Sequence, residues 1–282
     1  MAAAAKKRNP RPERPVWAFG EPRVLVIPPE AHSYEGFRNW AMSERVPEKL
    51  RTTFVSGEIS VEIDDENLLV VPSDAHTFSG FLKWAMAGAL PEKLRVMYLD
   101  GEVTIDMTEE SLQTHVAVKG AVYSTLFPIV TEEDFGEFYT DGTLVSNEAA
   151  GVSNNPDGVA VLLASIKANR VRFVQRKGVE RAIEGSPDWI LEIVSDSSEI
   201  KDTKKLRDAY HKAKIPEYWL IDARGDDIVF QILLWRKKGY VASSFRDGWG
   251  ESKVFARQFR LTRKRNSRGA WIYTLKARRT GQ

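Results

Sequence analysis

The sequence contains no cysteine, and only four of its 282 residues are histidine. The absence of cysteine excludes disulfide bonds and thiolate zinc sites, and it is compatible with a reducing cytoplasm. No apolar run approaches the roughly 20 residues that span a bilayer. The N-terminal stretch MAAAAKKRNPRPERP lacks the apolar core of a secretory signal and predicts a disordered basic tail over residues 1–20. We therefore expect a cytoplasmic protein with no membrane partner.

Several catalytic signatures are missing as well. The chain has no HExxH zinc motif, no GxSxG nucleophile elbow, no GxxxxGK[ST] phosphate-binding loop and no GxGxxG dinucleotide fingerprint. Chemistry in this chain is therefore expected to depend on carboxylates, which as hard oxygen ligands suit Mg²⁺ or Mn²⁺.

Positive charge is concentrated at the C-terminus. The net charge is only +2, but residues 253–282 hold ten Lys or Arg and no Asp or Glu, which leaves the rest of the chain at −8. A basic segment on an acidic body suits a polyanion such as nucleic acid. A solvated, solubilising tail has the same composition, and the sequence leaves both interpretations open.

The N-terminal third contains a duplication. Residues 24–63 align without a gap to residues 68–107, with 17 identities in 40 positions, and both copies contain the stretches WAM and PEKLR. Each copy predicts a short strand, a helix and a β-hairpin around Gly-Glu. We expect an appended first copy over residues 21–66, a main domain over 67–250 that includes the second copy, and a basic segment over 251–282.

Beyond the repeat, the pattern predicts an α/β fold in which helices flank a mixed sheet. Two acidic residues stand out within it. Asp157 begins the apolar run GVAVLLA, and Glu192 lies inside the apolar strand DWILEIV. A carboxylate in a buried strand is costly unless it is paired or binds a metal. These two residues are therefore the candidate metal ligands, although an ion pair with a buried Arg or Lys would also explain Glu192.

Three stretches resemble the Uma-type putative restriction endonucleases, a branch of the PD-(D/E)xK nuclease-like fold. They are NPDGVAV, PDWILEIVSDSS and KDTKKLRDAYHKAKIPEYWLID, and the resemblance covers roughly residues 68–234. It implies a restriction-endonuclease-like core in which Asp157 and Glu192 hold the metal and the main-chain oxygen of Ile193 is a further ligand. Glu102 and His115 are candidates to complete that site.

The chain departs from the family pattern at the lysine of the motif. Val194 stands two residues after Glu192, where the simple motif has Lys. Family members commonly place this lysine on the following helix, at the position that corresponds here to Leu206. Lys201 and Lys205 lie one helical turn apart nearby, so either is a candidate for the catalytic lysine, while both could also be solvated surface charges.

Two functions follow from these observations. The first is a Mg²⁺- or Mn²⁺-dependent endonuclease in which a metal-activated water hydrolyses DNA phosphodiester bonds. The second is a catalytically impaired module that binds nucleic acid without cleaving it. In both cases six basic residues are predicted to contact the nucleic acid: Arg170, Arg172, Lys177, Arg263, Lys264 and Arg265. A homodimer, or protein association through the first repeat copy, is compatible with either function.

Overall fold

The computed structural model describes residues 24–47, 50–63, 68–88, 90–91, 94–108, 110–195 and 201–280. The side chains of Arg176, Lys201 and Asp202 lie outside this description. The predicted disordered segment at residues 1–20 also lies outside the described residues.

The two repeat copies have the same order of elements, namely a strand, a 3₁₀ turn, an α-helix and a hairpin. The first copy comprises β1 (Val24–Ile27), a turn at Pro29–His32, α1 (Tyr34–Ala41), β2 (Thr52–Val55) and β3 (Glu58–Glu62). The second comprises β4 (Leu68–Val71), a turn at Ser73–His76, α2 (Phe78–Ala85), β5 (Arg95–Leu99) and β6 (Glu102–Asp106).

Strands are exchanged between the copies. β1 pairs antiparallel with β6 of the second copy, with Leu25 opposite Ile105. β4 pairs in the corresponding way with β3 of the first copy, with Leu69 opposite Val61. The domain boundary that the sequence predicts between residues 66 and 67 therefore separates segments that share hydrogen bonds.

Each helix of the repeat begins at a hydroxyl cap. Ser33 Oγ and Thr77 Oγ1 accept hydrogen bonds from the main-chain N–H groups three residues later, each at 3.1 Å. The preceding histidines have another role, because Nδ1 of His32 and of His76 lies 2.6 Å from the main-chain oxygen of Gly57 and of Gly101. They therefore join each helix to the turn of its own hairpin.

The remaining chain contains three further α-helices among the described residues. A π-helical turn at Leu112–Val116 leads into the first of them. These helices are α3 (Ala117–Thr131), α4 (Leu163–Lys167) and α5 (Leu206–Lys212). A second π-helical turn, Lys201–Lys205, leads into α5.

The strands between and after these helices are mostly short, and the last two are the longest. They are β7 (Gly136–Thr140), β8 (Leu144–Asn147), β9 (Val152–Asn154), β10 (Gly158–Leu162), β11 (Val171–Arg176), β12 (Val179–Gly185), β13 (Trp189–Ile193), β14 (Glu217–Asp222), β15 (Val229–Arg236), β16 (Gly239–Ala242), β17 (Phe245–Arg246), β18 (Trp249–Ser252), β19 (Arg257–Arg265) and β20 (Trp271–Arg279).

The strands form mixed sheets, as the sequence predicted. A seven-stranded sheet has the order β1-β6-β5-β9-β8-β12-β11, and a six-stranded sheet has the order β16-β15-β14-β13-β10-β7. β13 and β14 run parallel, whereas β10 and β13 run antiparallel. The C-terminal strands form a separate sheet, β17-β18-β19-β20, and β2-β3-β4 form the fourth.

The six-stranded sheet is covered on both faces, which explains why β10, β13 and β14 are almost continuously apolar. On one face Ile190 and Tyr218 pack with residues of the seven-stranded sheet and α5. On the other face Trp189 and Trp219 pack against α3 and the C-terminal sheet, including Phe259. No helix among the described residues is long and apolar enough to cross a membrane.

Candidate metal centre

Two neighbouring strands bring the two predicted carboxylates together. Asp157 directly precedes β10, and Glu192 lies in β13; the pairing of Gly158 with Leu191 places both at the same end of the sheet. Each carboxylate is only 3% exposed. Buried carboxylates require strong partners, so the neighbours of each one decide what the site can do.

Asp157 is fixed by the backbone of the neighbouring strand. Its Oδ2 accepts a hydrogen bond from the main-chain N–H of Ile193 at 2.7 Å. Its own main-chain oxygen accepts a hydrogen bond from the hydroxyl of Tyr123 on α3. These bonds set the direction of the carboxylate without using its second oxygen.

Glu192 is oriented by two side chains from other elements. Its Oε1 accepts hydrogen bonds from Tyr210 Oη at 2.5 Å and from Asn154 Nδ2 at 2.9 Å. Burial and the adjacent carboxylate raise the pKa of Tyr210 well above its ordinary value, so the hydroxyl remains a donor. Tyr210 is part of the core, and it also positions Glu192.

His115 approaches the carboxylates from the π-helical turn before α3. Its Nε2 lies 2.9 Å from the main-chain oxygen of Ile193 and 3.4 Å from Asp157 Oδ2. Its Nδ1 lies 3.1 Å from Oε2 of Glu110. Ligand atoms of Glu110, His115 and Asp157 all lie within 4.8 Å of one another. Among the predicted ligands, the structure thus brings Asp157, Ile193 and His115 together, and it adds Glu110.

The electrostatics of this cluster favour charged groups. Burial alone would lower the pKa of His115, but hydrogen bonds to Asp157 and Glu110 outweigh it and raise the pKa to about 9. Burial opposes ionisation of Glu110, but His115 and Lys119 lower its pKa to about 2. Burial likewise opposes ionisation of Asp157, and the same two cations hold its pKa below its usual range. Both carboxylates are therefore ionised at neutral pH.

Lys119 and Arg95 are cations of the site that the sequence did not single out. Lys119 Nζ lies 3.0 Å from Asp157 Oδ1, 2.7 Å from Glu110 and 2.9 Å from Asp141. Arg95 contacts Glu110 at 3.0 Å, and its guanidinium lies 3.9 Å from Asp157 Oδ1. Several carboxylates thus surround each cation.

The sequence contains a weak indication of each cation, from helix spacing for Lys119 and from the repeat for Arg95. Lys119 follows His115 by four residues, so the two share a helix face that otherwise carries Val122 and Leu126. Arg95 recurs in the first repeat copy as Arg51, which lies 3.7 Å from Glu62. The second copy directs the equivalent arginine to the carboxylate cluster.

A small cavity connects these groups. Its lining includes Arg95, Asp106, His115, Asn154, Asp157 and Glu192. Carboxylates, a main-chain oxygen and an imidazole form a donor set that fits a divalent ion such as Mg²⁺ or Mn²⁺. The residues present therefore fit the metal that the resemblance implies.

The predicted Glu102 and Lys205 lie elsewhere. Lys205 Nζ forms an ion pair with Glu102 Oε2 at 3.1 Å, beside a surface groove. Neither residue lines the cavity of Asp157 and Glu192. The side chain of Lys201 lies outside the described structure, and its role stays a prediction. At the motif position for lysine, Val194 is buried and its N–H donates to Ile221.

The six basic residues predicted to contact nucleic acid occupy different environments. Arg170 lies 3.0 Å from the buried carboxylate of Asp188, and neither residue lines the cavity of Asp157 and Glu192. Arg263 is partly buried and the other five are exposed; among these, Arg172 pairs with Glu184, and Lys177 lies in the β11–β12 turn. Arg263 donates to the main-chain oxygens of Ala223, Gly225 and Asp226, and Arg265 to that of Gly269.

Comparison with known proteins gave one family and one structure of interest. A family model described as "Putative restriction endonuclease" (Uma2) matches residues 78–262, about two thirds of the chain. This match confirms the resemblance seen in the sequence motifs. A crystal structure of a putative nuclease belonging to DUF820 from Anabaena variabilis is similar at 22% identity and a TM-score of 0.45, over 64% of this chain and 90% of that one. None of the curated proteins that were compared matches the chain.

Proposed function

The chain belongs to the putative restriction endonuclease family, and from that premise we propose that it is a Mg²⁺- or Mn²⁺-dependent endonuclease acting on DNA. One observation carries the proposal. A buried carboxylate, Asp157, lies in one cluster with Glu110, His115 and the main-chain oxygen of Ile193, beside the second buried carboxylate, Glu192. A buried cluster of ionisable groups with strongly shifted pKa values, placed beside a cavity, is typical of a functional site.

Asp157, Glu192 and the main-chain oxygen of Ile193 would hold the ion, with Glu110 as a further ligand and with His115 as one once its Nε2 has lost its proton. When bound, a divalent ion lowers the pKa of a water molecule and withdraws charge from a phosphate oxygen. The chain supplies preorganisation: the Ile193 N–H fixes Asp157, and Tyr210 and Asn154 fix Glu192. Groups held in this way do not have to reorganise during the reaction.

A cation is also needed to stabilise charge on the phosphate. Arg95 suits this role, because it lines the cavity and 27% of its side chain is exposed. Lys201 remains a candidate from the sequence, and so does Lys205, although its Nζ pairs with Glu102 outside the cavity. Lys119 is only 6% exposed and its Nζ is surrounded by three carboxylates, so we assign it the neutralisation of the acidic cluster.

The repeated unit is proposed to support this site rather than to carry a second one. β1 is hydrogen-bonded to β6, whose Thr104 and Asp106 line the cavity. The equivalent residues in the first copy are Ser60 and Glu62, and Glu62 is paired with Arg51. The first copy therefore has the hairpin but lacks the carboxylates that correspond to Asp157 and Glu192.

Nicking of supercoiled plasmid in Mg²⁺ or Mn²⁺ tests the proposal. The wild type should convert supercoiled to open-circular DNA, and Asp157→Asn and Glu192→Gln should each reduce the rate at least about 100-fold, because each removes a metal ligand. Asp208→Asn, an exposed carboxylate on α5, is the matched control and should nick at the wild-type rate. Equal background from the wild type and an Asp157→Ala/Glu192→Ala double variant would overturn the proposal.

A second candidate function is nucleic-acid binding without cleavage. The buried Val194 at the motif lysine position favours it. A thermal shift assay and the nicking assay together separate the two candidates. If Mn²⁺ raises the melting temperature of the wild type but not of Asp157→Asn, the metal site is functional. Metal binding and salt-sensitive DNA binding without nicking would then identify the binding module.

A further inference from the structure

We propose that the outer face of the C-terminal sheet, formed by Arg246, Arg260, Lys264, Lys276 and Arg278, binds the phosphodiester backbone of a nucleic acid. The inference rests on the proposed nucleic-acid substrate and specifies a surface for it. These five residues are called the outer basic face below. Only Lys264 is shared with the six basic residues that the sequence predicted to contact nucleic acid.

Strand alternation separates the two faces of this sheet. Phe259, Tyr273 and Leu275 are buried against the main core, so the residues between them along β19 and β20 point away from the core. The cross-strand register then places Arg260 opposite Lys276, and Lys264 opposite Ile272. In β18, Glu251 lies opposite Gln258 on the same outward face.

The sheet uses its basic residues in two ways. On the inner side Arg257 pairs with Glu133, and Arg263 and Arg265 both stack on Trp271 at 4.1 and 3.9 Å. These arginines stabilise the fold. Among the described residues, by contrast, no hydrogen-bond or ion-pair partner is present for three exposed members of the outer basic face, which are Arg260, Lys264 and Lys276.

The charge of the outer face is almost entirely positive. Of its acidic neighbours, Glu251 is already paired with Lys253 at 2.5 Å, and Asp247 lies in the turn between β17 and β18. Arg260 and Lys276 lie directly opposite each other, an arrangement in which like charges repel. A polyanion would relieve this repulsion, because each phosphate neutralises a cation and releases counterions.

The dimensions suit a chain of phosphates. β19 and β20 have nine residues each and therefore extend about 30 Å. Side chains on one face of a strand recur about every 7 Å. Trp249 lies beneath Arg278, whose guanidinium is 4.3 Å from the ring centroid, so the face offers stacked planar groups as well as charge.

The sheet is also attached to the helix that carries the site. The main-chain N–H of Trp271 donates to Oε1 of Gln113 at 2.7 Å, two residues before His115. Thr125 on α3 donates to the main-chain oxygen of Leu275 at 2.9 Å. The family match ends at residue 262, so most of this hairpin, residues 263–279, lies outside it.

The test is DNA binding measured by fluorescence anisotropy in a metal chelator, so that cleavage does not contribute. The full chain is compared with an Arg260→Gln/Lys264→Gln/Lys276→Gln triple variant between about 50 and 200 mM salt, on a labelled duplex and on a labelled single strand. Three lost phosphate contacts should reduce the slope of log K against log salt by about 2.7 on duplex and about 2.1 on single strand. Whichever of the two DNAs, duplex or single strand, shows the expected change in slope is the form of nucleic acid that the surface binds.

An Arg38→Gln/Lys83→Gln/Lys167→Gln triple variant is the matched control, because it removes the same charge from exposed residues elsewhere. It should retain the wild-type slope. The proposal is overturned if the outer-face variant retains its affinity and slope, or if both variants lose them equally. The single variants Lys264→Gln and Lys276→Gln, each expected to reduce the slope by about 1, decide the matter if the triple variant melts early. If the outer-face variant shows the expected change in slope but the wild type does not nick plasmid, the binding surface is supported and only the nuclease proposal is refuted.

Discussion

Nε2 of His115 lies 2.9 Å from the main-chain oxygen of Ile193 and is also directed to Asp157, at 3.4 Å. The imidazole thus contacts two of the oxygens that the family resemblance assigns to the metal. With a pKa of about 9 it is a cation at neutral pH. An imidazolium and a divalent ion would therefore compete for the same oxygens, and His115 must lose its proton before it can act as a ligand. Its contacts also link the turn before the helix that begins at Ala117 to the two strands that carry the carboxylates.

Lys119 should be essential for stability, because it compensates buried negative charge. We expect Lys119→Met to lower the free energy of unfolding by about 3–5 kcal/mol, the usual cost of removing one partner of a buried ion pair. Urea unfolding of Lys119→Met, Asp157→Asn and the double variant forms a double-mutant cycle. The double variant should be more stable than the sum of the single effects predicts, by about 0.5–3 kcal/mol. Strict additivity would show that the 3.0 Å contact between the two residues does not couple them.

Tyr210 should affect activity as well as stability. Tyr210→Phe removes the 2.5 Å hydrogen bond to Glu192 and should cost about 1 kcal/mol together with a clear loss of nicking rate. Tyr240→Phe is the matched control, since its hydroxyl donates to the main-chain oxygen of Ile215 at 2.8 Å in the same aromatic cluster. It should cost similar stability and leave the nicking rate unchanged. Equal rates for both variants would remove Tyr210 from the site.

Glu217 should make stability depend on pH. Its carboxylate is fully buried and accepts hydrogen bonds from Trp219 Nε1 at 2.6 Å and from the N–H of Lys253 at 2.8 Å. Burial raises the pKa of Glu217 above its ordinary value of 4.5, although these bonds oppose the rise. A raised pKa means that folding favours the protonated form, so its contribution is fully present below pH 4.5 and is lost as pH rises through the folded-state value.

Urea unfolding from about pH 4 to 8 measures the free energy of unfolding of the wild type and of Glu217→Gln, in which position 217 cannot titrate. The stability of the wild type relative to Glu217→Gln should fall as pH rises above 4.5 and then become constant. A Glu251→Gln variant, which alters a partly exposed carboxylate on the same C-terminal segment, should follow the wild type. A wild type that gains stability relative to Glu217→Gln over this range would show that the hydrogen bonds outweigh burial.

The exchanged strands should make the first repeat copy unfold together with the rest of the chain. Leu25 is fully buried and lies opposite Ile105 of the second copy. Leu25→Ala should cost about 2–5 kcal/mol and shift a single calorimetric transition to lower temperature. Leu68→Ala, at a position that is 61% exposed, is the control and should have little effect. A separate low-temperature transition that alone responds to Leu25→Ala would show that the first copy unfolds independently.

The sequence alone determined the local features of this protein. The repeat, the apolar strands and the two carboxylates within them could be read directly, because a charge in a buried strand is conspicuous against its neighbours. The three family motifs then indicated the nuclease-like class and predicted that Asp157, Glu192 and the Ile193 oxygen act together. The mixed sheets of the structure agree with the predicted fold class, and the joint role of the three groups stays a prediction.

Only the tertiary structure decided which distant side chains meet. Lys119 is 38 residues from Asp157 and Arg95 is 62 residues from it, and periodicity contains no information on contacts at such separations. The basic C-terminal residues show the same limit. Alternation predicts two faces for β19 and β20, but only packing decides that Arg263 points to the core side and Arg260 to solvent. Burial and contact are properties of the folded chain, whereas composition and spacing are properties of the sequence.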